Sequence, residues 1–460
     1  MKGFLILFSP ILFACWYWYV AVTPWFCPNF GCCLDSTKCT KIKARGYFDP
    51  KYQPVLDVME DSLTKGWDIG SSVYVEVDGE TVVDVVGGYI DEQRKIPMEK
   101  DTVNLFMSNG KFFENFGLAV LEEKGLLDIE APIATYWPEF AQQGKENITL
   151  QDILAHRSGE GGVFETKPTL EIFQDNNKRD TFLAEQKFNY QKGDVYYRGW
   201  TSALYSDAVS RRVDPKGRHL HQLVQDEIFE PIGESLICPP IDKLSEEEKS
   251  RVTPVFTAPV SALVFGIFPQ LLLPNSFARL AALNKRMTLD EYDNHLFRTV
   301  LFRLDTNHPT RKPTIPSQPR DAKAYNDPTG FLSYPMLSGN CMSNARCGSR
   351  AFASFFDSDI LSKEVRDKFL RPLPEAYDRF IMRYFNHTAS GLALDLFPNM
   401  PPETKCVGWF GIGGSTIQRC YIRNHTVTYA YIPNVLSPVP HEDRTILAAI
   451  ADVLLSDEKQ

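Results

Sequence analysis

Strand-forming segments lie near both ends of this 460-residue chain, and helical segments lie between them. Residues 71–86 contain two β-rich runs on either side of Asp78-Gly79, a dipeptide typical of a tight hairpin turn. Residues 426–432 show another strand pattern, and an amphipathic helix follows over 441–455. We therefore expect an α/β (α+β) fold. In it, an antiparallel sheet formed by N- and C-terminal strands is packed by helices, with an inserted helical lobe.

Three segments between these strands predict helices. Residues 111–124 carry apolar side chains at helical spacing and stop at Gly125, a common residue at a helix C-terminus. Thr149 precedes Asp152 by three residues, a capping-box spacing that predicts the start of a short helix. Residues 200–212 carry small and apolar side chains on one helical face. These helices are the expected covering of the sheet.

Size and charge exclude one class of partner. With 43% hydrophobic residues, the chain can bury a core large enough for one large domain or two lobes. Its 49 Lys and Arg against 58 Asp and Glu give a formal net charge of -9, and no basic block is long enough to follow a phosphate backbone. The composition therefore disfavours nucleic acid as a partner.

The N-terminal segment predicts a membrane or targeting element. Residues 4–22 carry no charge and are long enough to cross a membrane. Residues 16–19 are all aromatic, which suits a membrane interface better than the small-residue cleavage site of a signal peptide. We predict that residues 1–23 form an uncleaved anchor, with a cleaved signal as the alternative. Residues 24–50, which contain Pro, Gly and clustered Cys without periodicity, are predicted to be a linker to a domain over 51–460.

The signals for the location of this domain conflict. Four basic residues soon follow the apolar segment and one precedes it, which favours a cytosolic domain. Ten cysteines and three Asn-x-Thr sequons favour an oxidising, glycosylating compartment, although the cysteines near the anchor are alternatively acylation sites. We expect a membrane-anchored lumenal or extracellular domain, or a secreted one. The sequons begin at Asn147, Asn386 and Asn424, and the cysteines near the anchor are Cys27, Cys32, Cys33 and Cys39.

An S-x-x-K motif begins at Ser108 and ends at Lys111. On a helix these positions share a face, so the lysine amine can reach the serine hydroxyl. The positive N-terminal end of a helix favours an alkoxide and disfavours an ammonium, so Lys111 is a candidate base. The backbone N–H of Ser108 is a candidate oxyanion donor.

The surroundings of the motif distinguish it from two copies elsewhere. Ser62-Lys65 and Ser456-Lys459 have the same spacing, so the pattern alone is weak. Only Ser108 follows a strand-like segment, over 102–107, and opens a long amphipathic helix. Ser456 ends a helix, where the dipole has the wrong sign. Ser108 is therefore the candidate nucleophile, and a helix cap beside a solvated lysine is the alternative.

Four segments between residues 105 and 159 carry a further signal. They read Leu-Phe-Met-Ser-Asn-Gly-Lys at 105–111, Gly-Leu-Leu-Asp at 125–128, Tyr-Trp-Pro-Glu-Phe at 136–140 and Ile-Leu-Ala-His-Arg-Ser-Gly at 153–159. In order and spacing these segments resemble the class C β-lactamase-related family of penicillin-binding-protein-like serine hydrolases, which includes esterases and D-amino peptidases. Weaker similarity covers nearly all of the chain beyond the linker. The resemblance implies a β-lactamase/transpeptidase-like fold and a serine hydrolase.

The resemblance also implies further site residues. The family's tyrosine, usually in Y-x-N or Y-x-S, best matches Tyr197, two residues before Gly199. Its strand motif, usually K-T-G or H-x-G, falls at Trp409-Phe410-Gly411, which implies the N–H of Ile412 as the second oxyanion donor. The implied oxyanion and substrate-binding residues are Ser108, Ile412, Trp409 and Gly411.

Two departures from the family pattern bear on the substrate. Gly199 lacks the family's polar side chain, and Trp409 replaces a basic residue that helps to hold a substrate carboxylate. They disfavour β-lactam hydrolysis. We expect a serine hydrolase or acyltransferase in which Ser108 forms an acyl-enzyme from a small ester or amide, hydrophobic ones included, while Lys111 and Tyr197 transfer protons. The alternative is a catalytically silent binding or scaffold protein with the same fold.

Other motifs are assigned structural roles. His156 is expected to support the site from behind, with its imidazole satisfying backbone groups. Cys406 and Cys420 flank a predicted hairpin and are expected to form a disulfide. Residues 252–277 are uncharged but contain four prolines, so we expect packed core or loop, with an apolar lid as the alternative. No metal or cofactor is predicted, because no Cys or His cluster has convincing ligand spacing.

Overall fold

A computed structural model gives the fold of most of the chain. It describes residues 26–27, 32, 36–161, 164, 166–257, 315–319, 321–381, 383–395, 400–436 and 442–457. The predicted anchor at 4–22 and most of the proline-containing segment at 252–277 lie outside these residues. Within them, no helix is both long and apolar enough to span a membrane.

A seven-stranded antiparallel sheet joins the two ends of the chain, as expected. The sheet strands are β1 (Arg45–Phe48), β2 (Gly70–Val77), β3 (Glu80–Gly88), β9 (Ala393–Leu394), β10 (Thr404–Phe410), β11 (Thr416–Ile422) and β12 (His425–Pro433). Their order in the sheet is β1-β3-β2-β12-β11-β10-β9, so the N-terminal strand β2 pairs directly with the C-terminal strand β12. Smaller pairs are formed by β4 (Asn104–Leu105) with β6 (Met342–Ser343), β5 (Phe256–Thr257) with β13 (Val435–Leu436), and β7 (Ala376–Asp378) with β8 (Arg383–Phe385).

The hairpin predicted around Asp78-Gly79 is confirmed. Asp78 has φ 52° and Gly79 has φ 86°, so both turn residues adopt the left-handed conformation that a two-residue hairpin turn matching the sheet twist requires. In the same part of the chain, β1 pairs with β3 although it lies within the segment predicted as linker. The sheet therefore begins before residue 51.

The helices cover both faces of the sheet, and several of them form a lobe from the part of the chain between the N-terminal and the C-terminal strands. They are α1 (Gln53–Lys65), α2 (Gly110–Glu123), α3 (Leu150–Leu154), α4 (Leu170–Gln174), α5 (Asn176–Glu185), α6 (Ser202–Val213), α7 (Leu220–Val224), α8 (Glu246–Arg251), α9 (Ala322–Tyr325), α10 (Ala345–Asp357), α11 (Lys363–Leu370) and α12 (Glu442–Asp457). Helices α2, α6 and α12 confirm the predicted helical segments. Helix α3 begins with the predicted capping box, in which Thr149 and Asp152 bond reciprocally.

Alternating residues of the central strands form two cores. Val73 and Tyr429 pack in the core that also contains apolar residues of α1 and α12. Their strand neighbours Tyr74 and Ala430 face the opposite side, in the larger core with α2 and α10. This period of two is what burial of both faces of a sheet requires. Helix α2 is buried along almost its whole length, from Gly110 to Leu121, and so forms the centre of the larger core.

One of the described disulfides links distant segments of the chain, and two are local. The predicted Cys406–Cys420 bond is confirmed and joins directly opposed residues of β10 and β11. Cys238–Cys341 closes a loop with a sequence separation of 103 residues, and Cys32–Cys39 closes a short one. Closing a long loop reduces the conformational freedom of the unfolded chain and so stabilises the fold.

Asp68, between α1 and β2, predicts a pH dependence of stability. Its carboxylate is buried and accepts hydrogen bonds from the hydroxyls of Ser62, at 2.9 Å, and Tyr431. Burial raises the pKa of Asp68 to about 6, while the two hydroxyls oppose that rise. Because the folded state binds this proton more tightly than the unfolded state, the contribution of Asp68 to stability falls as the pH rises from about 4 to about 6.

We predict that Asp68→Asn increases stability relative to the wild type above pH 6, by about 1–3 kcal/mol, and that this gain disappears near pH 4. Thermal unfolding of both proteins across this range measures it. Asp57→Asn on the exposed face of α1 is the matched control and should leave the pH dependence unchanged. Parallel Tm-against-pH curves for Asp68→Asn and the wild type would contradict the prediction.

Candidate active site

The candidate nucleophile lies in a tight turn between β4 and α2. Ser108 is the middle residue of a 3-10 turn, Met107–Asn109, that leads into the helix, and it lies two residues before the first helical residue, Gly110. Met107 has φ 51°, a left-handed conformation that is uncommon for a residue with a side chain and that often marks functional sites. The preceding strand is shorter than the predicted strand-like segment and covers only Asn104–Leu105.

The side chain of Asn109 fixes this turn to the sheet. Its Nδ2 donates to Ser415 Oγ at 3.0 Å, and its Oδ1 accepts the backbone N–H of Ile417 at 3.2 Å. Ser415 Oγ in turn donates to the carbonyl of Phe106 at 3.2 Å. The nucleophile turn is therefore held against the start of β11 by side-chain hydrogen bonds.

Ser108, Lys111 and Tyr197 meet in the interior. Tyr197 Oη donates to Ser108 Oγ at 2.6 Å, and Lys111 Nζ lies 3.3 Å from the same oxygen. All three side chains are buried. The structure thus brings together the three residues that the sequence assigned to catalysis.

Lys111 has two further partners, and both are backbone carbonyls. Nζ donates to the oxygen of Gly199 at 2.7 Å and to that of Ser338 at 3.2 Å. Gly110 permits the second contact, because a Cβ at this position would lie 1.7 Å from the carbonyl oxygen of Leu337. A neutral amine has two N–H bonds and one lone pair, so these carbonyls can take both donors and leave the lone pair for the hydroxyl of Ser108.

Burial sets the protonation of the lysine and the tyrosine. It lowers the pKa of Lys111 to about 7, with Arg198 acting in the same direction and the charge of Glu114 opposing. It raises the pKa of Tyr197 to about 12, although the hydrogen bonds with Ser108 and Trp409 oppose that rise. Near neutral pH the phenol therefore keeps its proton, and Lys111 is the residue able to act as the base.

Trp409 lies beside Tyr197, on strand β10. The two rings are stacked, with centroids 5.4 Å apart and planes at 29°. The indole Nε1 donates a long hydrogen bond, 3.4 Å, to Tyr197 Oη. Trp409 is only 2% exposed, so it fills the space beside the phenol and directs its single donor at the tyrosine.

The other implied binding residues surround the same turn. A Cβ at Gly411 would lie 2.8 Å from Met107 Cβ and 2.9 Å from Phe106 O, so the end of β10 approaches the nucleophile turn closely. Ile412 follows in the turn to β11, and its side chain is half exposed. Its role as the second oxyanion donor stays a prediction.

His156 contacts the site from behind but not in the way expected. Its ring packs edge-on against Tyr197, with centroids 4.8 Å apart, and burial lowers its pKa, which keeps the imidazole neutral. Its Nδ1 has no hydrogen-bond partner among the described residues. The backbone carbonyl accepts a bond from Tyr196 N–H instead, so the support comes from ring packing and backbone.

The competing serines lie in other surroundings. Ser62 is on α1 and donates to Asp68, while Lys65 pairs with Asp61. Ser456 bonds back to the carbonyl of Val453 near the end of α12. The position of the motif, and not its spacing, separates Ser108 from both.

The described residues contain one group with a possible metal-ligand arrangement, Asp207 with His219 and His221. Asp207 already accepts hydrogen bonds from Arg179 at 2.8 Å and Arg211 at 3.1 Å. Two guanidinium groups at one carboxylate disfavour a bound cation, so this group is an ion-pair cluster.

Comparison with known proteins places the chain in a family. A family model described as Beta-lactamase matches residues 57–452. The chain belongs to the β-lactamase family.

It is 28% identical over 200 residues, 43% of this chain, to the esterase/beta-lactamase LipL of Mycobacterium tuberculosis. It is 34% identical over 94 residues, 20% of this chain, to the human mitochondrial serine beta-lactamase-like protein LACTB. These matches span 46% and 17% of the two relatives, so the chain covers less than half of the length of either.

Solved structures confirm the fold of this β-lactamase-family chain over about nine-tenths of its length. A penicillin-binding protein homologue from Caulobacter crescentus superposes with TM-score 0.66 at 21% identity, covering 90% of this chain and 99% of the other. A family VIII carboxylesterase gives 0.65 at 21%, covering 89% and 99%. A D-amino acid amidase from Ochrobactrum anthropi gives 0.59 at 15%, also covering 89% and 99%.

Sequence reasoning missed three residues at this β-lactamase-family site. Ser338 contributes only a carbonyl, for which the sequence gives no signal. Arg198 is fully buried beside Tyr197 and pairs with Glu160 at 3.2 Å. Glu114 is buried on α2. It is a charged residue within an apolar stretch and lies three residues after Lys111, and this spacing in the sequence indicates a buried carboxylate near the lysine.

The protonation of Lys111 predicts the pH dependence of labelling at Ser108. The rate of modification by a fluorophosphonate should rise with pH through about 7, because only the neutral amine can accept the hydroxyl proton. Lys111→Arg keeps the charge, but the guanidinium cannot deprotonate in this pH range. Ser108 of this variant should therefore be labelled slowly, and the labelling rate should no longer rise through pH 7. Labelling rates measured from pH 5 to 9 test this, and a flat profile for the folded wild type would be the contrary result.

Proposed function

We propose that this protein is a serine hydrolase that forms an acyl-enzyme at Ser108 from an ester or amide. The observation that carries the proposal is that Tyr197 Oη and Lys111 Nζ both lie within hydrogen-bond reach of the same buried hydroxyl, at 2.6 and 3.3 Å. An activated nucleophile needs such a base within reach. The β-lactamase-family relatives named as esterases and amidases support this reaction class.

The proton path follows from the protonation states. Ser108 Oγ attacks the carbonyl carbon while its proton passes to Lys111 Nζ, and the carbonyl oxygen becomes the oxyanion. The N–H groups of Ser108 and Ile412 are proposed to receive this charge. The proton then returns, through the hydroxyl of Tyr197, to the leaving alcohol or amine. A water molecule, or another acceptor in an acyl transfer, repeats these steps to release the acyl group.

The surroundings of Trp409 support a substrate without a carboxylate near the scissile bond. In place of a basic residue, this position carries an indole whose only N–H is directed at Tyr197. A substrate carboxylate would therefore gain no cation here and would lose hydration. We propose esters and amides with uncharged groups at this point.

The alternative of a catalytically silent protein rests on Gly199 and Trp409, the two departures from the family pattern. Gly199 supplies its backbone carbonyl to Lys111, and Trp409 supplies a donor to Tyr197. Neither departure removes a contact from Ser108. No observation favours the silent alternative over a hydrolase.

Labelling of Ser108 tests the proposed reaction. A fluorophosphonate should modify Ser108, as located by mass spectrometry, and Ser108→Ala should abolish both labelling and hydrolysis of short activated esters. Lys111→Ala should slow hydrolysis by roughly two to four orders of magnitude, the scale of lost acid-base catalysis. Ser62→Ala, at the competing motif, is the matched control and should label normally. Folded wild type that neither labels nor hydrolyses any member of a broad ester and amide panel would overturn the proposal.

The substrate proposal has its own variant. Trp409→His restores a basic residue of the family pattern, so it should shift preference toward carboxylate-bearing substrates while ester turnover stays measurable. The kcat/KM ratio for matched esters with and without a carboxylate measures this shift. An unchanged ratio would show that Trp409 does not determine this substrate preference.

We also propose that the domain faces the lumen or the exterior, tethered or targeted by residues 4–22. The disulfides support an oxidising compartment, and the sequon residues Asn147, Asn386 and Asn424 are all exposed. Glycosidase treatment of the protein from its native cells should therefore increase its gel mobility, and Asn424→Gln should remove part of that shift. Unchanged mobility together with protease access from the cytosol would contradict this location.

A further inference from the structure

Glu114 is a buried carboxylate outside the motifs of the proposed active site. It lies on α2, three residues after Lys111, and has no exposed surface. Its carboxylate accepts hydrogen bonds from two hydroxyls of α6, Ser206 Oγ at 2.6 Å and Ser202 Oγ at 3.1 Å. Burying a charge is costly unless it is paired or hydrogen-bonded, so its position calls for a physical explanation.

Geometry connects Glu114 to Lys111. Residues three apart on a helix share a face, and both side chains line one small cavity together with Asn115, His156 and Ser202. The cavity has a volume of about 10 Å³, close to what one water molecule needs. The side chains of Lys111 and Glu114 therefore border the same small cavity, close enough for the charge of the carboxylate to raise the pKa of the amine.

We propose that Glu114 is a positioning residue that supplies the counter-charge to Lys111 when Lys111 takes the proton of Ser108. This inference rests on the proposed function. In that step the O–H bond of Ser108 breaks, an N–H bond forms on Nζ, and an ammonium appears in a buried site. The carboxylate of Glu114 gains no proton, and its attraction to the ammonium stabilises the product of the transfer.

Other charged or titratable groups face this pair from the neighbouring segments. Arg198, before α6, pairs with Glu160 at 3.2 Å, and its charge lowers the pKa of Lys111. His156 stays neutral, because burial lowers its pKa. Tyr197 keeps its proton near neutral pH, because burial raises its pKa. Burial also raises the pKa of Glu114, while the hydroxyls of α6 and the charge of Lys111 oppose that rise. Among these described groups, Glu114 is the one that opposes the loss of the proton from Lys111.

The test is the pH profile of kcat/KM for Glu114→Gln, a variant of the same shape without the charge. The acidic limb should move to lower pH by about one unit, since the ammonium of Lys111 loses its stabilising neighbour. The plateau at high pH should fall roughly 10- to 100-fold, because the charge formed during attack is no longer compensated. Glu114→Asp should recover part of both effects. Glu123→Gln, at the exposed end of the same helix, should change neither.

A purely structural glutamate would give a different result. Loss of rate with the acidic limb unmoved would overturn the inference. If Glu114→Gln does not fold, Ser206→Ala replaces it in the test. This variant removes the hydroxyl that donates to the carboxylate at 2.6 Å, so the ionised form of Glu114 is less stabilised and the acidic limb should move in the same direction by a smaller amount. An unmoved limb would again overturn the inference. Labelling of wild-type Ser108 separates the two proposals. Without that labelling the proposed function fails, whereas with it an unmoved limb refutes only the role of Glu114.

Discussion

A buried lysine is the constraint around which the candidate site is organised. Lys111 is buried and has lost most of its hydration, so the polar contacts of its amine come mainly from the protein. Those contacts come from well-separated segments: Ser108 on its own turn, the carbonyl of Gly199 before α6, and that of Ser338 before β6. Because burial favours the neutral amine, packing these segments around one nitrogen both secures the fold and creates a base near neutral pH.

The antiparallel sheet positions the other residues of the candidate site around Lys111. Strands β10 and β11 lie at the C-terminal end of the chain, yet they carry Trp409 beside Tyr197 and place Gly411 against the nucleophile turn. The hydrogen bonds of Asn109 with Ser415 and Ile417 fix the position of that turn relative to the sheet. A shift of one residue in the strand pairing would turn Trp409 to the opposite face, so the register of β10 is itself a requirement of the site.

Local patterns predicted most of the elements, and long-range pairing explains what they missed. The Asp78-Gly79 turn and the capping box at Thr149 are each determined within a few residues, and both were predicted from the sequence. Ser108 and Lys111 were also found locally, whereas Tyr197 needed the family resemblance. The carbonyl of Ser338 and the bond between Cys238 and Cys341 depend on where distant segments pack. Periodicity and spacing do not contain that information.

The two departures from the family pattern have opposite physical consequences. At Gly199 the site loses a side chain but keeps the atom that matters to Lys111, since the contact is made by the backbone carbonyl and a Cβ there would meet no atom within 4 Å. At Trp409 the site loses a cation and gains a large ring that stacks on Tyr197. The first position has open space where a side chain would lie, and the second is filled by a ring that packs on the phenol. The contacts of Lys111 and Tyr197 with Ser108 are therefore present, while a buried indole occupies the position that the family pattern gives to a basic residue.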